Sequence, residues 1–176
     1  MKEKEQKLKE EVLVKTLMKG WKETRQLTLD WIDKLTLEQL NQELPRPGLN
    51  SFTKHIYEMG EVQKVYIAAL KEKESDIKRV TTLTFESQKM TAQTKKELVS
   101  FLNTCDREFY KAVKDVHIWG KEVLIFGEKK PKIALLEFLI RHESLHHGQF
   151  IVFGYMKSIE FPKSWIDAWA LPSSSN

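Results

Sequence analysis

Two histidines four residues apart, His142 and His146 in RHESLHHGQF, are the first residues whose types and spacing suggest chemistry. Imidazoles at this interval on a helix project from one face about a turn apart, the spacing at which two side chains converge on one metal ion. A buried neutral imidazole needs partners for both ring nitrogens, and a helix backbone has none to spare. Such a pair is satisfied either by hydrogen bonds within the core or by a metal, with the outward nitrogens on water or a carboxylate. His55 in SFTKHIYEMGE lies on the apolar stripe of an earlier helical segment, so three of the five histidines fall on core seams. If the two segments run antiparallel, the heights of the three side chains agree at roughly 1.5 Å per residue. The spacing therefore predicts a metal site of His55, His142 and His146, with positions open to water or substrate. Gln149, one turn beyond His146 on the same face, is the candidate for orienting a bound ligand.

Other groups read differently. Glu143 is rotated off the seam by about 100° and suits an outer group or an interhelix ion pair better than a ligand. HESLH also fits the HExxH pattern, in which Glu143 would be the base of a metal-dependent hydrolase. The extended form of that motif fails, because Gln149 and Val152 stand where Gly and His are needed, leaving only Glu160 or Asp167 as a further ligand. His117 and His147 are expected at the surface or at a pocket rim, and Cys105 in the core. Thr24 and Thr28 either face the cavity or bond their own helix carbonyls. Imidazole suits zinc, nickel, iron and copper alike, so spacing alone does not choose the metal.

These residues need long helices to hold them. With 176 residues, 41% hydrophobic and 31% charged, the chain fits one globular domain over residues 1–176, and Gly 7 with Pro 5 disfavours a turn-rich β fold. Apolar steps of three and four predict four helices, at Lys7 to Leu35, Ser51 to Lys73, Thr91 to Val116 and Pro131 to Ser158. The last has the sharpest pattern, from Leu135 through Leu139, His142, His146, Gln149 and Phe153 to Met156. A long connection through Pro45, Pro47 and Gly48 joins the first two helices. HIWGKEVLIFGEKKP, before the fourth, reads as a short strand pair or an ordered loop, and KSWIDAWAL as a short helical piece closing one end.

A lone cysteine excludes an intrachain disulfide framework. No apolar run reads as a signal peptide or a membrane span, so a soluble cytoplasmic protein with no membrane partner is expected. Lys+Arg 29 against Asp+Glu 25 gives +4, but Lys interleaves with Glu instead of forming an Arg-rich stripe, so no nucleic-acid partner is expected.

His55 in SFTKHIYEMGE, then RHESLHHGQF and FPKSW, resemble the DinB-like superfamily of metal-binding four-helix bundles over nearly the whole chain. The resemblance implies an all-α bundle in up-down-down-up order, a divalent metal such as zinc or nickel on His55, His142 and His146, and a homodimer. His147 departs from the common family form, in which Arg often precedes Gly-Gln. Relatives include bacillithiol S-transferases and mycothiol-dependent maleylpyruvate isomerases. By that likeness the function expected is metal-dependent activation of a small-molecule thiol or water, as in an S-transferase. A thiol would have to come from a cosubstrate, since Cys105 reads as packed. The alternatives are a non-catalytic metal- or ligand-binding bundle and the HExxH hydrolase.

Overall fold

The computed structural model describes residues 2–75, 77–86 and 90–172. Among the described residues seven helices and one hairpin follow in order: α1 Lys2–Lys34, α2 Leu37–Asn41, α3 Phe52–Leu70, α4 Ile77–Phe85, α5 Lys95–Lys114, β1 Glu122–Ile125, β2 Glu128–Pro131, α6 Lys132–Met156 and α7 Lys163–Trp169. The four long helices are those expected from periodicity. Hydroxyls fix three helix starts: Thr36 accepts from the Gln39 amide, Ser51 from Lys54 and Thr94 from Glu97. Each satisfies an amide that the helix itself leaves unpaired.

Contacts between named residues give the helix directions. Trp21 packs on Phe109 and Arg25 pairs with Asp106, so α1 and α5 run antiparallel. Tyr57 bonds Glu97 and Gln63 bonds Asp106, so α3 and α5 run parallel. His55 packs on Phe150 while Glu58 meets His142, so α3 and α6 are antiparallel. The bundle is therefore up-down-down-up. Close approach of α3 and α5 needs Gly60, where any Cβ would collide with the Phe101 ring.

Two short helices lie where the sequence reading had only connections. α2 forms because Thr36 and Gln39 make a reciprocal capping box. In α4, Ile77, Val80 and Thr84 share one face, but five β-branched residues in nine weaken the helical signal. Of the two readings left open before α6, the strand pair is the one found. β1 and β2 are antiparallel, joined through Phe126 and Gly127. Both residues have positive φ, 48° and 83°, as a tight two-residue hairpin turn requires.

The core is layered along the bundle axis. One apolar cluster gathers Trp31, Phe52, Phe150, Phe161 and Trp165, with α7 closing that end. Another gathers Trp21, Tyr66, Phe109, Leu135 and Leu139. Between them lies a buried polar layer containing Arg25, Thr28, His55, Glu58, Gln63, Asp106, Glu143, His146 and His147. So many buried polar groups are tolerable only if they are paired or hold something. Among the described residues no helix is long and apolar enough to cross a membrane.

Candidate metal centre

On one side of the polar layer α3 and α6 bring a carboxylate and two imidazoles together. Glu58 Oε2 lies 2.8 Å from His146 Nε2, and Glu58 Oε1 lies 3.3 Å from His142 Nε2. The two imidazole Nε2 atoms are 3.3 Å apart. These donor atoms all lie within 4.8 Å of one another, a separation that suits a single ion. His55 meets the same cluster from behind, its Nδ1 lying 2.8 Å from Nδ1 of His146. His142 and His146 thus converge as expected, while His55 faces the opposite nitrogen of His146 from the one that faces Glu58.

Glu58 was missed by the sequence reading. Its signal was present, since it follows His55 by one helical turn in HIYE, but a single apolar stripe was assigned to α3. In fact every residue from Phe52 to Gln63 is buried, so the whole circumference faces protein.

The charges support a cation site. Burial raises the Glu58 pKa, yet hydrogen bonds to His142 and His146 prevail and hold it well below the usual carboxylate range. His146 is pushed down by burial against the pull of Glu58. His55 falls to about 2, chiefly by burial, with the neighbouring His146 and the Arg46 guanidinium adding to the effect. His55 Nε2 and His142 Nδ1 are buried without a hydrogen-bond partner among the described residues. A carboxylate beside imidazoles with unspent nitrogens fits a divalent metal in donor chemistry as well as in spacing.

The site opens on one side. A cavity of about 300 Å³ is lined by Glu58, His142, Tyr66, Val80, Thr84 and Phe126, under α4 and the hairpin turn. A larger groove of about 790 Å³ runs beside β1 and shares Ile77 and Phe126 with it, but no histidine lines that groove. The smaller cavity is the one with chemistry in its wall.

Glu143 points elsewhere. It forms an ion pair with Arg25 Nη2 at 3.1 Å and accepts from the Thr28 hydroxyl, on the α1 side of α6. The interhelix ion pair expected of it is present, and the HExxH hydrolase loses its base because that carboxylate faces away from His142 and His146. Arg25 continues to Asp106 at 3.4 Å and to Gln63 at 2.8 Å, and Gln63 donates to Asp106. The network therefore ties all four long helices together. Thr28 lies in this network, while Thr24 bonds the Gly20 carbonyl of its own helix.

His147 corrects the sequence reading. Expected at a surface or rim, it is fully buried, 2.8 Å from the Thr28 hydroxyl and packed on Trp165 and Trp169. The reason is that α6, like α3, buries more than one face, with α7 covering the side that periodicity assigned to solvent. His117 is exposed. Cys105 is core, its Sγ directed at the Gly60 carbonyl and its pKa raised to about 11 by burial, which makes it a poor nucleophile. Gln149 is half-buried and accepts from Arg46 Nη1 at 3.1 Å.

A sequence profile settles the relationship, matching the DinB family over residues 1–157. The chain belongs to the DinB family. Its fold is also that of a DinB-like protein from Bacillus cereus, with TM-score 0.65, 19% identity, and coverage of 85% of this chain and 95% of that one. No curated protein matches the chain. The DinB match and the group of Glu58, His142 and His146 together support a DinB-like metal-binding protein.

Two buried histidines set an acid limit. Burial lowers the pKa of His55 to about 2 and of His147 to about 3, both below the unfolded value of about 6.5. Their contribution is complete above pH 6.5 and is lost as pH falls from there toward the folded values. Each contributes on the order of 2 kcal/mol between pH 6.5 and 5. Urea unfolding should show stability falling steeply between pH 6.5 and 5. A flat profile would mean that neither imidazole is held neutral by the fold.

Proposed function

We propose that this DinB-family chain is a divalent-metal-dependent enzyme that activates a small-molecule thiol for transfer to an electrophile, with zinc or nickel as the metal. The observation that carries the reading is the convergence of Glu58, His142 and His146, with Glu58 and His142 in the wall of a partly open cavity and His146 buried behind them. These three would hold the metal, with His55 as a further donor from α3 only if the His146 ring presents its other nitrogen. When bound there, such an ion would make a coordinated thiol or water easier to deprotonate. The remaining work falls to the chain. The carboxylate of Glu58 removes one unit of positive charge that an all-imidazole set would leave. Tyr66, Val80 and Phe126 supply an apolar wall that excludes water from the reacting groups. Since Cys105 is buried and poorly acidic, the thiol is a cosubstrate.

The test is cobalt substitution followed by thiol titration. A saturable change in the cobalt absorption on adding 2-mercaptoethanol supports thiol activation. Cobalt binding without any thiol response would leave a non-catalytic bundle, or one that activates only water.

We also propose that the protein is cytoplasmic and acts as a homodimer, without nucleic-acid or membrane partners. Ile125 and Ile151 pack within the chain, but Leu145, Val152 and Met156 form an exposed apolar row on α6 that suits a second copy. Sedimentation should give a dimer for the native chain and a monomer for Val152→Glu. A native monomer would contradict the assembly.

A further inference from the structure

We propose that Arg46 is the anion-binding residue of this site, its guanidinium held by Gln149 to receive a carboxylate of the small molecule whose reacting group lies at His142 and His146. This rests on the small-molecule reading above and adds a chemical class to it.

Arg46 stands between Pro45 and Pro47 in the segment joining α2 to α3. The two prolines each fix a backbone φ, and Gly48 takes the left-handed turn at φ 74°. The segment is tied further by Leu44 N to Asn50 O at 2.9 Å and Arg46 N to Leu44 O at 2.7 Å. Beneath it, the buried amine of Lys54 donates to the Gly48 carbonyl at 2.6 Å. The arginine is thus presented from a braced loop, where little freedom remains to be lost on binding.

Its partner is a neutral amide. Arg46 Nη1 donates to Gln149 Oε1 at 3.1 Å, and among the described residues no carboxylate pairs with it. Arg25, Arg79 and Arg141 each have an acid in place, whereas Arg107, exposed on α5, has the Thr104 hydroxyl. One guanidinium edge on Gln149 leaves other N–H groups for a bidentate carboxylate. Gln149 lies three residues beyond His146 and seven beyond His142, which places the anchor roughly 5–10 Å along α6 from the reacting group. That span suits a compact acid.

The experiment follows the side-chain ¹⁵N resonances of Arg46 and Gln149 during titration with succinate, which needs neither bound metal nor a thiol. The expected result is a saturable shift of both resonances in the native protein, with affinity at least tenfold weaker in Arg46→Met and partly weakened in Gln149→Ala. No saturable shift in the native protein, or equal affinity in Arg46→Met, would overturn the assignment. Tighter binding of inorganic phosphate than of succinate would overturn the carboxylate class. Failure of the cobalt and thiol experiment with succinate binding intact would remove the transferase reading and leave Arg46 as an anion site.

Discussion

Replacing His146 with Ala is expected to abolish tight metal binding while the helices persist. This imidazole is the hub of the cluster, meeting Glu58 and His142 at Nε2 and His55 at Nδ1. Its removal takes away a donor common to every arrangement of the site, so the affinity should fall by more than the roughly 10- to 100-fold that loss of an outer partner costs. Glu58→Ala and His55→Ala probe the α3 side, where each is expected to lower the metal content on competition with a chelator. Unchanged metal content in His55→Ala would remove it from the ligand set and leave Glu58 as the donor from α3. Circular dichroism on the same samples separates ligand loss from unfolding.

The second large effect concerns the buried ion pair behind the centre. Arg25 is 3% exposed and Glu143 1%, and Arg25 also serves Asp106 and Gln63. Burial raises the pKa of Glu143 while Arg25 and Thr28 pull it down, so the carboxylate depends on this cation. Arg25→Met leaves two acids in the core without a counter-charge and should cost about 3–5 kcal/mol in urea unfolding. Glu143→Gln keeps the shape and a hydrogen bond to Thr28 and should cost about 1–3 kcal/mol. A loss below about 1 kcal/mol for both variants would mean that water reaches the pair and that the network does not brace the four helices.

The four long helices and the histidine pair on α6 were legible because seams with steps of three and four persist over many turns, while their up-down-down-up order came from the family resemblance. The two histidines had the spacing and now lie 3.3 Å apart at Nε2. Glu58 carried a signal that one apolar stripe on α3 concealed, while Arg25 and His147 were not legible at all. Periodicity locates a single buried face, whereas α3 is buried all round between Phe52 and Gln63, and α6 packs on α1 and α3 and, through His147 and Phe150, on Trp165 of α7. Polar residues on the further buried faces look like solvent-facing residues until their partners on other helices are known. α4 was obscured by its valine and threonines. Arg46 had no sequence signal beyond its flanking prolines, because its relation to Gln149 spans 103 positions.

The most direct test of the central claim is the stoichiometry of cobalt binding to the protein stripped of metal. One ion per chain is predicted, with displacement by zinc or nickel and loss of binding in His146→Ala. No binding by the native protein after reconstitution would contradict the account, reducing Glu58, His142 and His146 to a hydrogen-bonded cluster in the core.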